Sequence, residues 1–173
     1  GKTISGMTNP LFSQFNGTAK NLTLRGKIDA TPAQGTEKTP KIASFALNTF
    51  GATLTNVVSY VDITVKEDVF YAGGLVGAAF NKGAFNGCEY HGEMTAVWGK
   101  ESGAIGGILA YYRPEGVTVS FENCYFGGKI AVTGGVANTK LPIGGILGKS
   151  ASAVASFADC VSNGTISSAI TAG

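Results

Sequence analysis

The stretch Gly73-Gly74-Leu75-Val76-Gly77 recurs as Gly106-Gly107-Ile108-Leu109-Ala110 and again as Gly144-Gly145-Ile146-Leu147-Gly148. Each copy is followed by a segment with an aromatic residue, a cysteine and then a Gly-x-Ile or Gly-x-Met ending. Self-similarity at a spacing of a few tens of residues is typical of stacked supersecondary units that bury a core between neighbours. The sequence therefore predicts a repeat protein.

The cysteines give the period of the repeat. Cys88, Cys124 and Cys160 follow one another at equal intervals of 36 residues. Two earlier and more diverged copies have Leu22 and Val57 at the cysteine position, so five copies fill the chain.

Hydrophobic and polar residues alternate within each copy, most clearly over residues 22–29, 57–63 and 124–130. A period of two is typical of half-buried strands, whereas helical repeats need a period of 3.6. Glycine accounts for 26 of the 173 residues, which suits the corners of a coil. We therefore expect an all-β chain in which residues 1–173 form one right-handed parallel β-helix (β-solenoid) of about five coils, with about 35 residues per coil.

The same spacing predicts which side chains stack. Two inward columns are expected to be buried. Their members are Leu22, Val57, Cys88, Cys124 and Cys160 in one, and Ile28, Ile63, Met94, Ile130 and Ile166 in the other.

Several classes of chemistry are not indicated. The net charge is +2, only 14% of the residues are charged and the basic residues are scattered, so we expect no nucleic-acid partner and no membrane insertion. The Gly-Gly pairs lead into strands and do not form a phosphate-binding loop before a helix, so no cofactor is expected. With no Cys-x-x-Cys pair and only one histidine, no metal site is expected either, and the cysteines are interpreted as core thiols. A disulfide between two adjacent coils stays open.

Binding residues are expected in two places. On the outward face, Tyr60, His91 and Tyr125 stack near Glu89 and Glu93, where ring faces would suit a sugar and carboxylates would accept its hydroxyls. The alternative is that this face only stabilises the sheet, through ion pairs between Lys27 and Asp62 and between Glu93 and Lys129.

The second place is the set of breaks in the repeat, at 31–40, 97–103, 110–116 and 133–142. Trp98, Tyr112 and Arg113 are the conspicuous side chains there, and exposed aromatic residues suit a contact with a glycan or a protein. Tyr111 and Tyr112 cannot both point outward from one strand, so one of the two is expected in the core.

A polysaccharide-acting enzyme, a lyase or a glycoside hydrolase, is the alternative function. Hydrolysis needs two carboxylates roughly 5 to 10 Å apart. Glu89 and Glu93 lie four strand residues apart, about 13 Å, which is too far. Asp62 and Glu93 would be nearer, but each has a cationic neighbour in its column. We therefore expect no catalytic residues.

The motif Asn21-Leu22-Thr23-Leu24-Arg25-Gly26-Lys27-Ile28, together with the Gly-Gly-hydrophobic copies, resembles the GLUG-type repeats of surface proteins of gut Bacteroidetes. The resemblance implies a right-handed solenoid displayed outside the cell, often in adhesins, and no catalytic residues. Separately, the sequence has no signal peptide and stops without a polar capping element, so we expect the chain to be a fragment of a longer, exported surface protein. The first two units depart from the motif, with Ser44-Phe45-Ala46-Leu47 in place of Gly-Gly-Leu-Val.

Overall fold

The computed structural model describes residues 1–29, 39–66, 69–113, 117–136, 138–151 and 154–170. These residues form 21 strands and no helix. In chain order the strands are β1 (Lys2–Met7), β2 (Phe12–Phe15), β3 (Thr18–Asp29), β4 (Lys41–Ile42), β5 (Ala46–Phe50), β6 (Thr53–Val65), β7 (Tyr71–Gly73), β8 (Val76–Phe80), β9 (Gly83–Asn86), β10 (Glu89–Tyr90), β11 (Glu93–Trp98), β12 (Ala104–Gly106), β13 (Leu109–Arg113), β14 (Val119–Glu122), β15 (Tyr125–Phe126), β16 (Lys129–Gly134), β17 (Ile143–Gly144), β18 (Leu147–Ser150), β19 (Ala155–Ala158), β20 (Val161–Ser162) and β21 (Thr165–Ile170).

The strands form three parallel sheets that run along the stack of coils. The first sheet has 12 strands, the second has the order β17-β12-β7-β4, and the third has the order β18-β13-β8-β5-β2. In the first sheet β3 and β6 run unbroken, whereas each later coil divides the same path into three shorter strands. The fold is a parallel-strand β-solenoid of about four turns with about 35 residues per turn.

The number of residues per coil varies without disturbing the stacking. Neighbouring partners are 35 residues apart at Asn21 and Asn56, 31 apart at Asp62 and Glu93, and 36 apart at Glu93 and Lys129. The 31-residue coil has a short connection, because two residues separate β8 from β9, whereas five separate β13 from β14 in the next coil. The next coil is also longer because β11 continues for two residues past Ala96, the partner of Val65. Length differences are therefore absorbed where strands end and connections begin.

Both predicted inward columns are in register. Ile28, Ile63, Met94, Ile130 and Ile166 are consecutive strand partners. Along the cysteine column, the Tyr125 amide donates to the Cys88 carbonyl and the Val161 amide to the Cys124 carbonyl, both at 2.9 Å.

The expected burial of these columns is confirmed for Ile28 and in the middle coils, and it is wrong at Leu22, Cys160 and Ile166. Met94 and Ile130 are fully buried, but Ile166 is 42% exposed. Leu22 and Cys160 are only half-buried. No described strand packs over β20 and β21 on their outer side, and only the short β1 lies beyond β3.

The Gly-Gly pairs lie where the chain passes from the second sheet to the third, as predicted for corners. A Cβ on Gly107 would lie 2.0 Å from the carbonyl oxygen of Gly145 in the next coil and 2.4 Å from the Phe126 ring. Gly74 has the same relation to the carbonyl of Gly107 and to the Tyr90 ring. Close approach between coils, and not a left-handed backbone, is what requires glycine here.

The second unit solves the same corner differently. The amide and hydroxyl of Ser44 both donate to the carbonyl of Gly74, so Ser44 occupies the corner position of its coil. The inward side chain that corresponds to Tyr90 is the small Ser59 in this coil, its strand partner. In this coil the small inward side chain of Ser59 leaves room for the side chain of Ser44 at the corner.

A second corner column precedes the cysteine column. Asn21, Asn56, Asn123 and Asp159 have φ between 51° and 54°, and Gly87 has φ of 59°. Asparagine, aspartate and glycine are the residues that tolerate this left-handed conformation best. The side-chain amide of Asn56 also donates to the Asn21 side-chain oxygen at 3.1 Å, which joins two coils at the corner.

The second and third sheets pack closely against each other. A Cβ on Gly77 of the third sheet would lie 3.1 Å from the Lys41 Cβ of the second sheet. Tyr71 of the second sheet stacks on Tyr111 of the third, with ring centroids 4.3 Å apart. This contact buries most of β5 and β8 on both sides.

Truncation within the isoleucine column should cost less at the open end. We expect Ile130→Ala to lower the free energy of unfolding by about 2 to 5 kcal/mol, because it leaves a cavity between two coils. Ile166→Ala, the same change in the same column, should cost clearly less because its side chain is 42% exposed. Urea unfolding of both variants measures the difference, and equal costs would contradict this assignment of the core.

Adding one methyl group at the corner should also destabilise the protein. In Gly107→Ala the new Cβ meets backbone that cannot move without shifting the next coil, so we expect a loss of about 1 to 3 kcal/mol in urea unfolding. Gly83→Ala is the matched control, since the nearest atom to its Cβ would be 3.4 Å away. A control variant as unstable as Gly107→Ala would argue against the steric explanation.

Candidate functional site

The outward residues of the first sheet bring together the side chains that the sequence predicts on this face. Arg25 and Tyr60 are strand partners, and His91, Gly127 and Asn163 continue the column, each amide hydrogen-bonded to the coil before it. Tyr125 projects from the neighbouring column. We call Arg25, Tyr60, His91, Tyr125 and Asn163 the aromatic strip.

The side chains of the aromatic strip are stacked on one another along the solenoid. The Arg25 guanidinium carbon lies 4.2 Å from the centre of the Tyr60 ring. Tyr60 and His91 have centroids 4.9 Å apart with their planes 12° apart, and His91 and Tyr125 have centroids 5.3 Å apart with a 38° tilt. Stacked rings and a cation over a ring face are both attractive arrangements.

Tyr125 reaches the strip because its neighbour has no side chain. A Cβ on Gly127 would lie 2.3 Å from Cε1 of the Tyr125 ring, so the ring lies over the glycine. The Tyr125 hydroxyl then donates to the Asn163 side-chain oxygen at 2.7 Å. Gly127 thus keeps the strip continuous from Arg25 to Asn163.

His91 is held from the side as well as from its faces. Its Nε2 lies 2.6 Å from the Glu89 carboxylate, two residues back on the same face. The ring is therefore fixed by a stack in one direction and a hydrogen bond in the other.

This packing corrects the expectation that the rings offer their faces to a sugar. Arg25 covers one face of Tyr60 and His91 covers the other, while His91 lies between Tyr60 and Tyr125. What the strip presents outward is ring edges and their polar atoms, with Tyr60 39% exposed.

The two carboxylates of the enzyme alternative border a shallow groove next to the strip, together with Lys27, Thr64 and Thr95. The Asp62 carboxylate accepts a hydrogen bond from the Glu93 amide at 2.9 Å, and the Glu93 carboxylate lies 2.7 Å from the Lys129 ammonium. The expected pair of Glu93 with Lys129 is confirmed. Lys27 and Asp62 are strand partners, as expected, but the Lys27 ammonium lies 3.9 Å from the Asp29 carboxylate on its own strand.

The second predicted site, at Trp98, Tyr112 and Arg113, does not form a surface. Trp98 is 1% exposed and Tyr112 is fully buried, and only Arg113 is exposed. Trp98 lies on β11 and Tyr112 on β13, because both strands continue into the segments expected to be loops. The interpretation of Trp98 and Tyr112 as exposed aromatic residues is therefore wrong, whereas the expectation that one of Tyr111 and Tyr112 lies in the core is confirmed. Residues 31–38, 114–116 and 137 of the expected loops lie outside the described residues.

The signal for Trp98 was present in the sequence. Buried and exposed residues alternate along β11, and Met94, Ala96 and Trp98 are the buried ones. The indole packs against Gly103, and its Nε1 finds no hydrogen-bond partner among the described residues. Tyr112 is anchored by its hydroxyl, which donates to the Val117 carbonyl at 2.7 Å.

The three cysteines are free thiols in the core column. Cys88 and Cys124 donate to the carbonyls of Leu54 and Phe85 of the preceding coil, both at 3.4 Å. Within the described ranges, no three side chains of His, Cys, Asp or Glu are grouped so that they could hold a metal ion.

Comparison with known proteins gives no relative from which a function could be taken: no protein-family model matches the sequence, and neither curated proteins nor solved structures show a significant match. None of the described residues belongs to a helix that could cross a membrane.

The buried phenol of Tyr90 should make the folded protein less stable at alkaline pH. Tyr90 is buried, its hydroxyl donates to the Val61 carbonyl at 3.1 Å, and burial, followed by the charges of Asp62 and Glu93, raises its pKa well above the ordinary value. Above pH ~10 the unfolded chain loses this proton and the folded chain keeps it, so stability falls as the pH rises.

We expect Tyr90→Phe to be less stable at neutral pH by about 1 kcal/mol, because the Val61 carbonyl loses its donor. Its free energy of unfolding should fall less steeply than that of the wild type between about pH 9 and pH 11. Urea unfolding at several pH values measures both slopes, and parallel slopes would show that Tyr90 does not contribute.

Proposed function

We propose that the protein is a non-catalytic extracellular binding or scaffolding module, and that it contacts its ligand through the aromatic strip. The proposal includes the right-handed winding of about five coils, which the preferred hand of parallel crossovers supports, and the relation to GLUG-type surface repeats, which the sequence motif supports. The contact through Trp98 and Tyr112 is not part of it, since both side chains are buried.

The observation that carries the proposal is the prior ordering of the strip. Tyr60, His91 and Tyr125 are fixed by one another, by Arg25 and Glu89, and by Asn163 before any ligand arrives. Ordered side chains lose little conformational entropy on binding, and tyrosine and arginine are the residues that most often dominate interfaces.

The geometry favours a protein ligand over a glycan. Because both faces of Tyr60 are occupied and His91 lies between Tyr60 and Tyr125, a sugar cannot stack on Tyr60 or on His91. The strip instead presents hydroxyl, imidazole, amide and guanidinium groups in a line, at the strand spacing of about 4.8 Å. Such a line suits an extended segment of a partner protein that lies along the solenoid.

The enzyme alternative rests on Asp62 and Glu93, which share one groove. Both carboxylates are exposed, and Glu93 is engaged by Lys129 at 2.7 Å. A general acid must be placed to give a proton to the leaving group, whereas Asp62 accepts the Glu93 amide and Glu93 pairs with Lys129. We therefore favour binding over catalysis.

A parallel screen separates the two functions. The protein is tested for saturable binding to a panel of purified extracellular proteins and to a glycan array, and for degradation of polysaccharides. We expect saturable protein binding without turnover. The double variant Tyr60→Ala/Tyr125→Ala should weaken that binding by about tenfold or more, since it removes two of the ordered rings.

The matched control is Ser167→Ala, an exposed change on the same sheet outside the strip. It should bind like the wild type, and thermal unfolding should show that all variants are folded. Unchanged binding in the double variant would contradict the role of the strip. Polysaccharide turnover that disappears in Asp62→Asn or Glu93→Gln would establish the enzyme function instead.

A further inference from the structure

The cysteine column places three thiols in consecutive coils at one position of the core. The hydrogen bonds from Tyr125 to Cys88 and from Val161 to Cys124 hold the three residues in register. Parallel strands lie about 4.8 Å apart. That separation falls within the Cα distances of about 4.4 to 6.8 Å at which disulfides form.

The three thiols differ in their access to solvent. Cys88 and Cys124 are buried, but Cys160 lies on the outermost described coil and is only half-buried. The Cys160 thiol donates to the Ala158 carbonyl of its own coil at 3.3 Å, and Cys124 lies directly beneath it in the column. A small reagent can therefore reach Cys160 first, and Cys124 only through it.

The Cys124 thiol lies next to the other two thiols of the column, and the Cys88 thiol beside it lowers the pKa of Cys124. The thiolate is the nucleophile of disulfide exchange.

We propose that Cys160 and Cys124 form a disulfide between adjacent coils, by exchange with a small-molecule disulfide such as oxidised glutathione. The Cys160 thiolate attacks one glutathione sulfur, the S–S bond of glutathione breaks and one glutathione thiolate leaves. The Cys124 thiolate then attacks the Cys160 sulfur of the mixed disulfide and displaces the second glutathione. Two protein thiols are oxidised, one glutathione disulfide is reduced, and the two thiol protons end on two glutathione molecules.

The new bond ties the most exposed coil to the coil beneath it. The inward face of that last coil is open at Ile166 and at Phe157, which is 52% exposed. A crosslink that closes a loop of a few tens of residues stabilises a fold chiefly by restricting the unfolded chain. We therefore expect the melting temperature of the oxidised protein to rise by roughly 5 to 10 °C.

The experiment treats the reduced, folded protein with excess oxidised glutathione at a pH of about 8.5, the ordinary pKa of a thiol. We expect two of the three thiols to be lost in thiol titration, the mass to fall by two hydrogen atoms, and peptide mass spectrometry to find Cys124 linked to Cys160. Thermal unfolding of the same sample should show the rise in melting temperature.

Replacement variants test the order of the steps. Cys124→Val introduces the side chain that Val57 provides in an earlier coil, so the column stays filled, and glutathione should then accumulate on Cys160. Cys160→Val should leave both remaining thiols unreacted. Cys88→Val should still form the disulfide, because both reacting thiols remain.

Three results would overturn the proposal. One is that folded wild-type protein keeps all three thiols, another is that it stops at a stable glutathione adduct on Cys160, and the third is that the linked peptide joins Cys88 to Cys124.

Discussion

The backbone of each coil must lie directly over the backbone of the coil before it, and this close approach is tightest at the glycine corners. At Gly107 the next carbonyl oxygen occupies the space of a Cβ, and at Gly74 the same relation holds one coil earlier. If either corner moved outward, the two coils that meet there would lose their hydrogen-bonded register locally. The stacked inward columns and the outward strip both depend on that register.

The sequence contained enough information to predict this register but not its limits. Equal spacing and strict alternation placed Ile63, Met94 and Ile130 as consecutive partners, and the structure pairs them in that way. The same logic predicts full burial of Ile166, which fails because burial depends on a covering coil, and no described strand covers β21. The prediction for Trp98 fails for a different reason. Its alternation with Met94 is regular, but the break in the repeat at residues 97–103 predicts a loop where β11 continues as a strand.

The candidate site was only half predictable. The column positions of Tyr60, His91 and Tyr125 follow from counting residues, because a strand fixes which side chains share a face. The orientation of their rings does not, since it depends on which partners each ring finds. The turn of Lys27 toward Asp29 instead of Asp62 is a choice of rotamer among exposed groups of similar energy, and no sequence pattern determines it.

The unequal length of the coils bears on how such a molecule can change over evolutionary time. A coil of 31 residues and a coil of 36 residues stack equally well, because the difference falls between β8 and β9 and at the end of β11. Insertions and deletions at these two places change the outline of the solenoid and leave its strand pairing unchanged. A lineage could therefore remodel the flanks of the solenoid, or duplicate a whole coil, while the arrangement of side chains on the first sheet is inherited unchanged.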